Sequence, residues 1–339
     1  MRRRDSSWLT TAAIGLGACY AAKALVCHSR QLDLRDKVVL ITGGSRGLGL
    51  LLAKEFAQHR AQVAVCARDQ AELDRAKHLM CEDGLPVWTG VCDVTDQAQV
   101  QNLVGHLRRD LGHIDVLVNN AGTIGVGPAG TMTLADYHKA MNVNFWGAVH
   151  TTMEVIPGMR RRRQGRVVNI TSIGGKVAVP HLLPYVASKF ALVGWSEGLR
   201  AELQRDDVYV TTVVPGLMRT GSPRNIDVKG QHEKEYAWFK LGDSLPVTSM
   251  SAARAARRIV RAAVNGEAEV TLSFQAKLAA RFAGLFPGAT AEMLSLVNRA
   301  LPDETPDPRT KKGYESESEK SNVLTALTDQ AARENNEVV

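Results

Sequence analysis

Aromatic side chains make up only 5% of the 339 residues, and there are only five cysteines. Cys19, Cys27, Cys66, Cys81 and Cys92 form no C-x-x-C pair and no His/Cys spacing suited to a metal, so no metal site is expected. An odd cysteine count in a long chain fits a reducing compartment. Basic residues are not interleaved with aromatics, which leaves no surface for stacking bases. The net charge of +7 gathers in clusters at Arg2–Arg4 and Arg160–Arg163, and nucleic acid is excluded as a partner. No internal repeat is visible. The remaining composition, 45% hydrophobic and 23% charged, is enough for a full core.

From Lys37 onward, apolar runs alternate with amphipathic stretches. Strands are expected at Val38–Ile41, Val63–Cys66, Val87–Val91, Ile114–Val118, Val167–Ile170, Val208–Val214 and Glu269–Leu272. Helices are expected at Leu48–Gln58, Asp69–Met80, Gln97–Arg109, Thr133–Met159 and Ala252–Val264, with a further helix around Tyr185. Continuous Val/Ile-rich strands alternating with helices predict an α/β fold. The expectation is a doubly wound Rossmann-type parallel sheet of about seven strands, helices on both faces, in a single domain. Three flanking segments stand apart. Residues 1–30 carry Arg2–Arg4 and an apolar run from Trp8 to Val26, broken by Lys23. They read as a membrane anchor, a cleavable signal, or a helix lying on a membrane or on the domain. Residues 34–274 are expected to form the folded domain, 275–301 an amphipathic extension, and 302–339 a polar tail whose composition predicts disorder.

After the first strand comes Thr42-Gly43-Gly44-Ser45-Arg46-Gly47-Leu48-Gly49, with a helix following. Glycines let the backbone approach a pyrophosphate, and the helix N-terminus presents N–H groups to it. No Gly-Lys-Ser/Thr follows, which excludes a P-loop. The second strand ends in Cys66-Ala67-Arg68-Asp69, without an acid placed to hold a ribose 2′-hydroxyl. Arg46 and Arg68 could clamp a 2′-phosphate, so the cofactor expected is NADPH/NADP+ rather than NADH.

Further on, Ser172 ends an apolar strand, and Tyr185 and Lys189 stand four residues apart on a helix. A phenol beside a cation can serve as a general acid/base, and a neighbouring hydroxyl can hold what it protonates. The glycine loop and this triplet occur with Asp93-Val94, Asn119-Asn120-Ala121-Gly122, Asn144, Pro215-Gly216 and Thr220, in that order along the chain. Over about Leu34 to Leu272 the sequence resembles the short-chain dehydrogenase/reductase family. The resemblance implies that Asp93 contacts the adenine, Asn119 the adenosine side, and Thr220 the nicotinamide carboxamide. It also implies that Asn144 supports a water chain to Lys189, and that Lys189 binds the nicotinamide ribose and lowers the Tyr185 pKa. Val94, Ala121, Gly122, Pro215 and Gly216 belong to the same cofactor set.

The implied activity is hydride transfer between a nicotinamide and a carbonyl or secondary alcohol, on a small-molecule substrate that could be lipophilic. A non-catalytic NADP(H) sensor or scaffold is the alternative. Family membership implies a homo-oligomer, a dimer or tetramer. The expected location is at a membrane with the catalytic domain facing the cytoplasm, or in the cytoplasm. Trp238 and Phe239 suggest a lid, and His181 and Leu182 a pocket entrance. Arg160–Arg163 read as a solvated loop or a contact to anionic lipid.

Overall fold

The first strand, β1 (Val38–Thr42), is buried along its whole length. Val39 and Ile41 belong to one apolar core, and Val38 and Leu40 to another. Two alternating apolar sets are what a strand covered on both faces requires. The computed structural model describes residues 29–244, 249–305, 307, 309–317 and 326–338. In it β1 is joined by β2 (Gln62–Ala67), β3 (Val87–Val91), β4 (Ile114–Asn119), β5 (Gly165–Ile170), β6 (Val208–Val214) and β7 (Glu269–Thr271). Together they form a seven-stranded parallel sheet in the order β7-β6-β5-β4-β1-β2-β3. The direction of winding reverses between β1 and β4. In an open parallel sheet that reversal opens a crevice at the carboxyl ends of the strands.

The helices are α1 (Gly47–Gln58), α2 (Gln70–Glu82), α3 (Gln97–Asp110), α4 (Leu134–Met141), α5 (Gly147–Arg162), α6 (Leu183–Leu203), α7 (His232–Ser244), α8 (Ala252–Val264), α9 (Phe274–Leu285), α10 (Pro287–Asn298) and α11 (Ala326–Glu334). α1, α2 and α8 pack on one face through Leu52, Phe56, Leu73, Met80 and Ile259. α3, α5 and the end of α6 pack on the other through Leu103, Leu107, Met159 and Leu203. Asp69 caps α2 by accepting the Glu72 N–H at 2.9 Å. Thr133 and Asp136 form the capping box of α4.

Four expectations need revising. The long helix expected over Thr133–Met159 is interrupted by a π turn at Asn142–Trp146. The extra residue of that turn carries Asn144 inward, where it is 1% exposed. Arg160–Arg162 end α5, and Arg163 caps it in the left-handed conformation. There they suit the helix dipole. Arg160 pairs with Asp206 and Arg163 with Asp207, both at 2.7 Å, and Arg162 donates to the Ile114 carbonyl at 2.9 Å, so three of these four charges already have protein partners. The third revision concerns the polar stretch after Pro302, parts of which are built into the fold. Lys311–Lys312 pairs antiparallel with Asp227–Val228, and α11 packs against α7. Charge partners that composition does not reveal hold these parts in place: Lys312–Asp227 at 2.7 Å, Arg224–Glu317 at 3.2 Å and Lys240–Asp329 at 2.8 Å. The fourth concerns His181 and Leu182. Both are buried: Leu182 lies in a small core with Val186, Tyr236 and Phe239 of α6 and α7, and His181 bonds Glu235 of α7, so neither stands at an entrance.

Trp8–Val26 lies outside the described residues. Among the described residues, no helix is long and apolar enough to cross a membrane.

Candidate active site

The turn after β1 is held from below. The Thr42 hydroxyl accepts the N–H groups of Asn120 and Ala121 at 3.0 and 3.1 Å. Asn120 Nδ2 donates to the Thr42 and Gly43 carbonyls at 3.1 and 2.9 Å. These bonds tie the end of β4 to the glycine turn. Gly43 and Gly47 take positive φ of 62° and 55°, a region that disfavours other residues. A Cβ on Gly43 would stand 2.9 Å from Ala121 Cα, so the two segments meet with no room for a side chain. α1 starts at Gly47, so the N–H groups of its first turn lack partners within the helix. The glycine turn and helix terminus fit a dinucleotide pyrophosphate.

Around this cradle the expected cofactor residues divide. Arg46 lies 3.4 Å from Glu72 and 3.6 Å from Glu337, while Arg68 is exposed at the tip of β2. Ser45 donates to Glu72 at 2.9 Å, and Leu48 and Gly49 are buried in the first turn of α1. Asp93 accepts the Thr95 N–H and hydroxyl at 2.9 and 2.8 Å, while Asp96 caps α3. Val94 is buried. The Asn119 amide is engaged at both ends inside the protein. It donates to Thr152 and Asn169 at 2.8 Å and accepts from Thr151 at 2.6 Å. These bonds brace β4 against β5 and α5 through the side chain for which the resemblance implied an adenosine contact. At the other end of the crevice, the Pro215 carbonyl accepts the Ile173 N–H at 2.7 Å. A Cβ on Gly216 would stand 2.8 Å from Ser273 Oγ. Thr220 bonds the Ser222 hydroxyl at 2.8 Å.

The remaining candidates converge at the end of β5. Ser172 follows the strand, and its Oγ accepts the Gly174 N–H at 3.0 Å. Lys189 Nζ donates to the Ile170 carbonyl at 2.9 Å and lies 5.7 Å from the centre of the Tyr185 ring. Asn144 donates to Ser188 at 2.8 Å and to the Thr123 carbonyl at 3.0 Å, and accepts the Thr123 N–H at 2.8 Å. A Cβ on Gly122 would lie 3.2 Å from Asn144 Oδ1 and 3.8 Å from Lys189 Nζ, so the Asn119–Gly122 segment reaches both. Burial pushes the Tyr185 phenol up to about 12; a hydrogen bond with Ser172 pulls it down and Asp243 pushes it up further. Burial lowers Lys189 to about 8. The sequence led us to expect Lys189 to depress Tyr185. In this structure the ammonium bonds a carbonyl, and burial dominates both groups.

A model of the short chain dehydrogenase family matches residues 37–229. The chain belongs to the short-chain dehydrogenase family. This dehydrogenase is 36% identical over 185 residues to a protein of Streptomyces violaceoruber named as a ketoacyl reductase of the granaticin polyketide synthase, covering 54% of this chain and 68% of that one. It is 34% identical over 193 residues to gluconate 5-dehydrogenase of Gluconobacter oxydans, covering 57% and 75%. Among solved structures, a gluconate 5-dehydrogenase from Burkholderia cenocepacia in complex with NADP and tartrate superposes with a TM-score of 0.63 at 26% identity, covering 74% of this chain and 97% of that one. The short-chain dehydrogenase family comprises oxidoreductases that use nicotinamide cofactors, and the chain is an enzyme of that class.

Several residues shape this dehydrogenase's site in ways that its sequence did not signal. Thr42 and Asn120 shape the glycine turn through bonds to partners 77 to 79 positions away. Asp243 of α7 is 5% exposed and accepts the Met218 N–H at 3.1 Å, and among the described residues its Oδ2 has no hydrogen-bond partner. Burial raises it to about 7. On α7, Glu235 bonds His181 at 2.9 Å and Trp238 at 2.7 Å, which fixes the helix over the loop before Tyr185. Among the described residues no cluster of His, Cys, Asp and Glu could hold a metal.

Proposed function

We propose that this chain is an NADP(H)-dependent oxidoreductase acting on a carbonyl or secondary alcohol, with Tyr185 as the general acid/base. The observation that carries this reading is the meeting of Ser172, Tyr185 and Lys189 at the carboxyl end of β5, across the crevice from the glycine turn. When bound, the nicotinamide supplies or takes a hydride at the substrate carbon, and its oxidised form adds a positive charge beside Tyr185. In reduction, Tyr185 gives its proton to the carbonyl oxygen, and in oxidation it takes that proton back. Ser172 donates to the same oxygen. Lys189 orients the ribose and holds positive charge near the phenol. Asn144, bonded to Ser188 and Thr123, keeps the π turn open toward Lys189 and steadies the waters that return protons to it.

The preference for NADP(H) rests on Arg46 and Arg68, whose guanidinium groups suit a 2′-phosphate in bidentate geometry. The Burkholderia neighbour's NADP complex supports the same choice. A lipophilic substrate is favoured by the apolar surface of the α9–α10 hairpin, where Phe274, Leu278, Leu285 and Phe286 are exposed. Trp146, Met153 and Phe190, exposed on the π turn, α5 and α6, offer the apolar face through which a homo-oligomer would form.

The test follows NADPH oxidation by absorbance against a panel of aldehydes and ketones, with NADH in parallel and Tyr185→Phe as control. Turnover with NADPH that Tyr185→Phe abolishes is the expected result. Cofactor binding without turnover on any carbonyl would make the chain a binding protein, and equal turnover by Tyr185→Phe would remove the proton-transfer role.

A further inference from the structure

The crevice that fits a dinucleotide is spanned by the chain's own segment 326–338. Asn335, Asn336 and Glu337 are 6%, 7% and 6% exposed, although nothing in their composition suggests burial. At the amino end of α1, the Gly47 N–H donates to the Asn335 carbonyl at 2.8 Å. This is one of the helix-terminal N–H groups that bind an anion in a phosphate cradle. The Glu337 carboxylate lies against the bare face of Gly47, where any Cβ would collide with it. The same carboxylate lies 3.6 Å from Arg46 and accepts from Asn225 at 2.6 Å.

Its neighbours mark out the rest of the crevice. Asn335 Nδ2 donates to the Thr220 carbonyl at 3.1 Å. Asn336 Nδ2 donates to the carbonyls of Ser45 and Glu72 at 2.8 and 3.1 Å, and its Oδ1 accepts from Arg75 at 3.1 Å. Upstream, Thr328 bonds Ser244 of α7 at 2.8 Å, and Ala332 lies where a side chain on Gly221 would go. The segment therefore runs from α7, past Thr220, to Gly47 and Arg46. Those are the groups assigned above to the nicotinamide end, the pyrophosphate and the 2′-phosphate.

We propose that segment 326–338 is an intramolecular occupant of the dinucleotide site, with the Glu337 carboxylate standing in for a cofactor phosphate, so that the cofactor binds only after displacing it. This rests on the dinucleotide reading of the crevice. The segment and the cofactor compete for the Gly47 N–H and the Arg46 guanidinium, so occupancy by one excludes the other at those groups. Apparent affinity then falls to its intrinsic value multiplied by the fraction of molecules in which the segment is undocked. A segment docked nine-tenths of the time weakens cofactor binding about tenfold.

The experiment titrates NADPH, followed by its fluorescence, into the full chain, a chain ending at residue 325, and full-length Glu337→Lys, which sets a cation against Arg46. Both altered proteins are expected to bind NADPH about tenfold more tightly than the full chain. A synthetic peptide of residues 326–338 is expected to weaken NADPH binding to the shortened chain competitively. Loss of a merely structural segment would loosen binding, so the sign of the change separates the two roles. Equal or weaker binding by Glu337→Lys, with its melting transition intact, overturns the proposal while leaving the cofactor site standing. That variant decides the matter if the shortened chain fails to fold. If neither the full chain nor Glu337→Lys binds NADPH or NADH while both remain folded, the dinucleotide reading fails and takes the proposal with it.

Discussion

A cation faces a tyrosine at each end of the parallel sheet, and the two pairs are built differently. At the amino ends, Tyr209 opens β6 with the guanidinium groups of Arg30, Arg166 and Arg200 at 4.9, 4.7 and 5.9 Å from its ring. Arg166 is 4% exposed and donates to the carbonyls of Ala263, Gly165 and Arg30. Planar guanidinium groups stack on a ring and satisfy several carbonyls at once, so charge here is used to tie strand ends together. At the carboxyl ends, Lys189 stands 5.7 Å from the Tyr185 ring and donates to the Ile170 carbonyl. A compact ammonium beside an ionisable phenol is a costly arrangement for stability and a useful one for proton exchange. The same two kinds of group close the fold at one end and form the proposed proton-exchange site at the other.

The largest expected effect tests the reactive end. Tyr185→Phe should lower kcat about 10³-fold while leaving melting and NADPH binding close to those of the parent, since the hydroxyl serves the proton and the ring serves the packing. A loss of stability in place of activity would erase the contrast. The matching change at the closed end is Arg166→Met. Removing a buried guanidinium leaves three carbonyls short of a donor, and chemical denaturation should show a loss of about 3 kcal/mol. Turnover per folded molecule should stay near that of the parent.

Lys189→Met sharpens the comparison through pH. Burial lowers Lys189 from its ordinary 10.5 to about 8. Between those values the unfolded chain holds more protons than the folded one, so the parent gains stability as pH rises from about 8 to about 10.5. Below pH 8 the charged, buried lysine costs its full amount. The methionine variant should therefore be inactive yet more stable than the parent by about 2 kcal/mol at pH 7, a gain that shrinks on titration toward pH 10.5. The smallest effect concerns Asp243, which raises the Tyr185 pKa. Asp243→Asn should shift the alkaline rise of alcohol oxidation to lower pH by less than about one unit. A shift to higher pH would show that the carboxylate does not face the phenol.

Much of this was legible in the chain. The parallel sheet and its two helical layers follow from Val/Ile-rich runs that alternate with helices, and the glycine turn and the Ser172, Tyr185 and Lys189 set announce themselves by spacing. Such features are local, and their residue types are demanded by backbone geometry or by chemistry. The π turn was not legible, because Asn144 turns inward only once Thr123 and Ser188 are present to receive it. The bracing role of Asn119 depends on Thr151, Thr152 and Asn169, which strand pairing and helix packing bring to it. Asn336 meets Ser45 across 291 positions. Polarity predicts disorder for such a stretch, and only the assembled crevice supplies the carbonyls and guanidinium groups that bury it.

The buried Asn335-Asn336-Glu337 turn also bears on how ligands would be detected. Heating assays read binding from the stability that a ligand adds to the folded form alone. A protein whose empty groove is already filled by its own backbone and side chains melts as though partly liganded. Added nucleotide then exchanges one set of contacts for another, and the rise in Tm understates its affinity. In a screen of the full chain a true cofactor would rank as a weak hit, and the chain ending at residue 325 is the form that would reveal it.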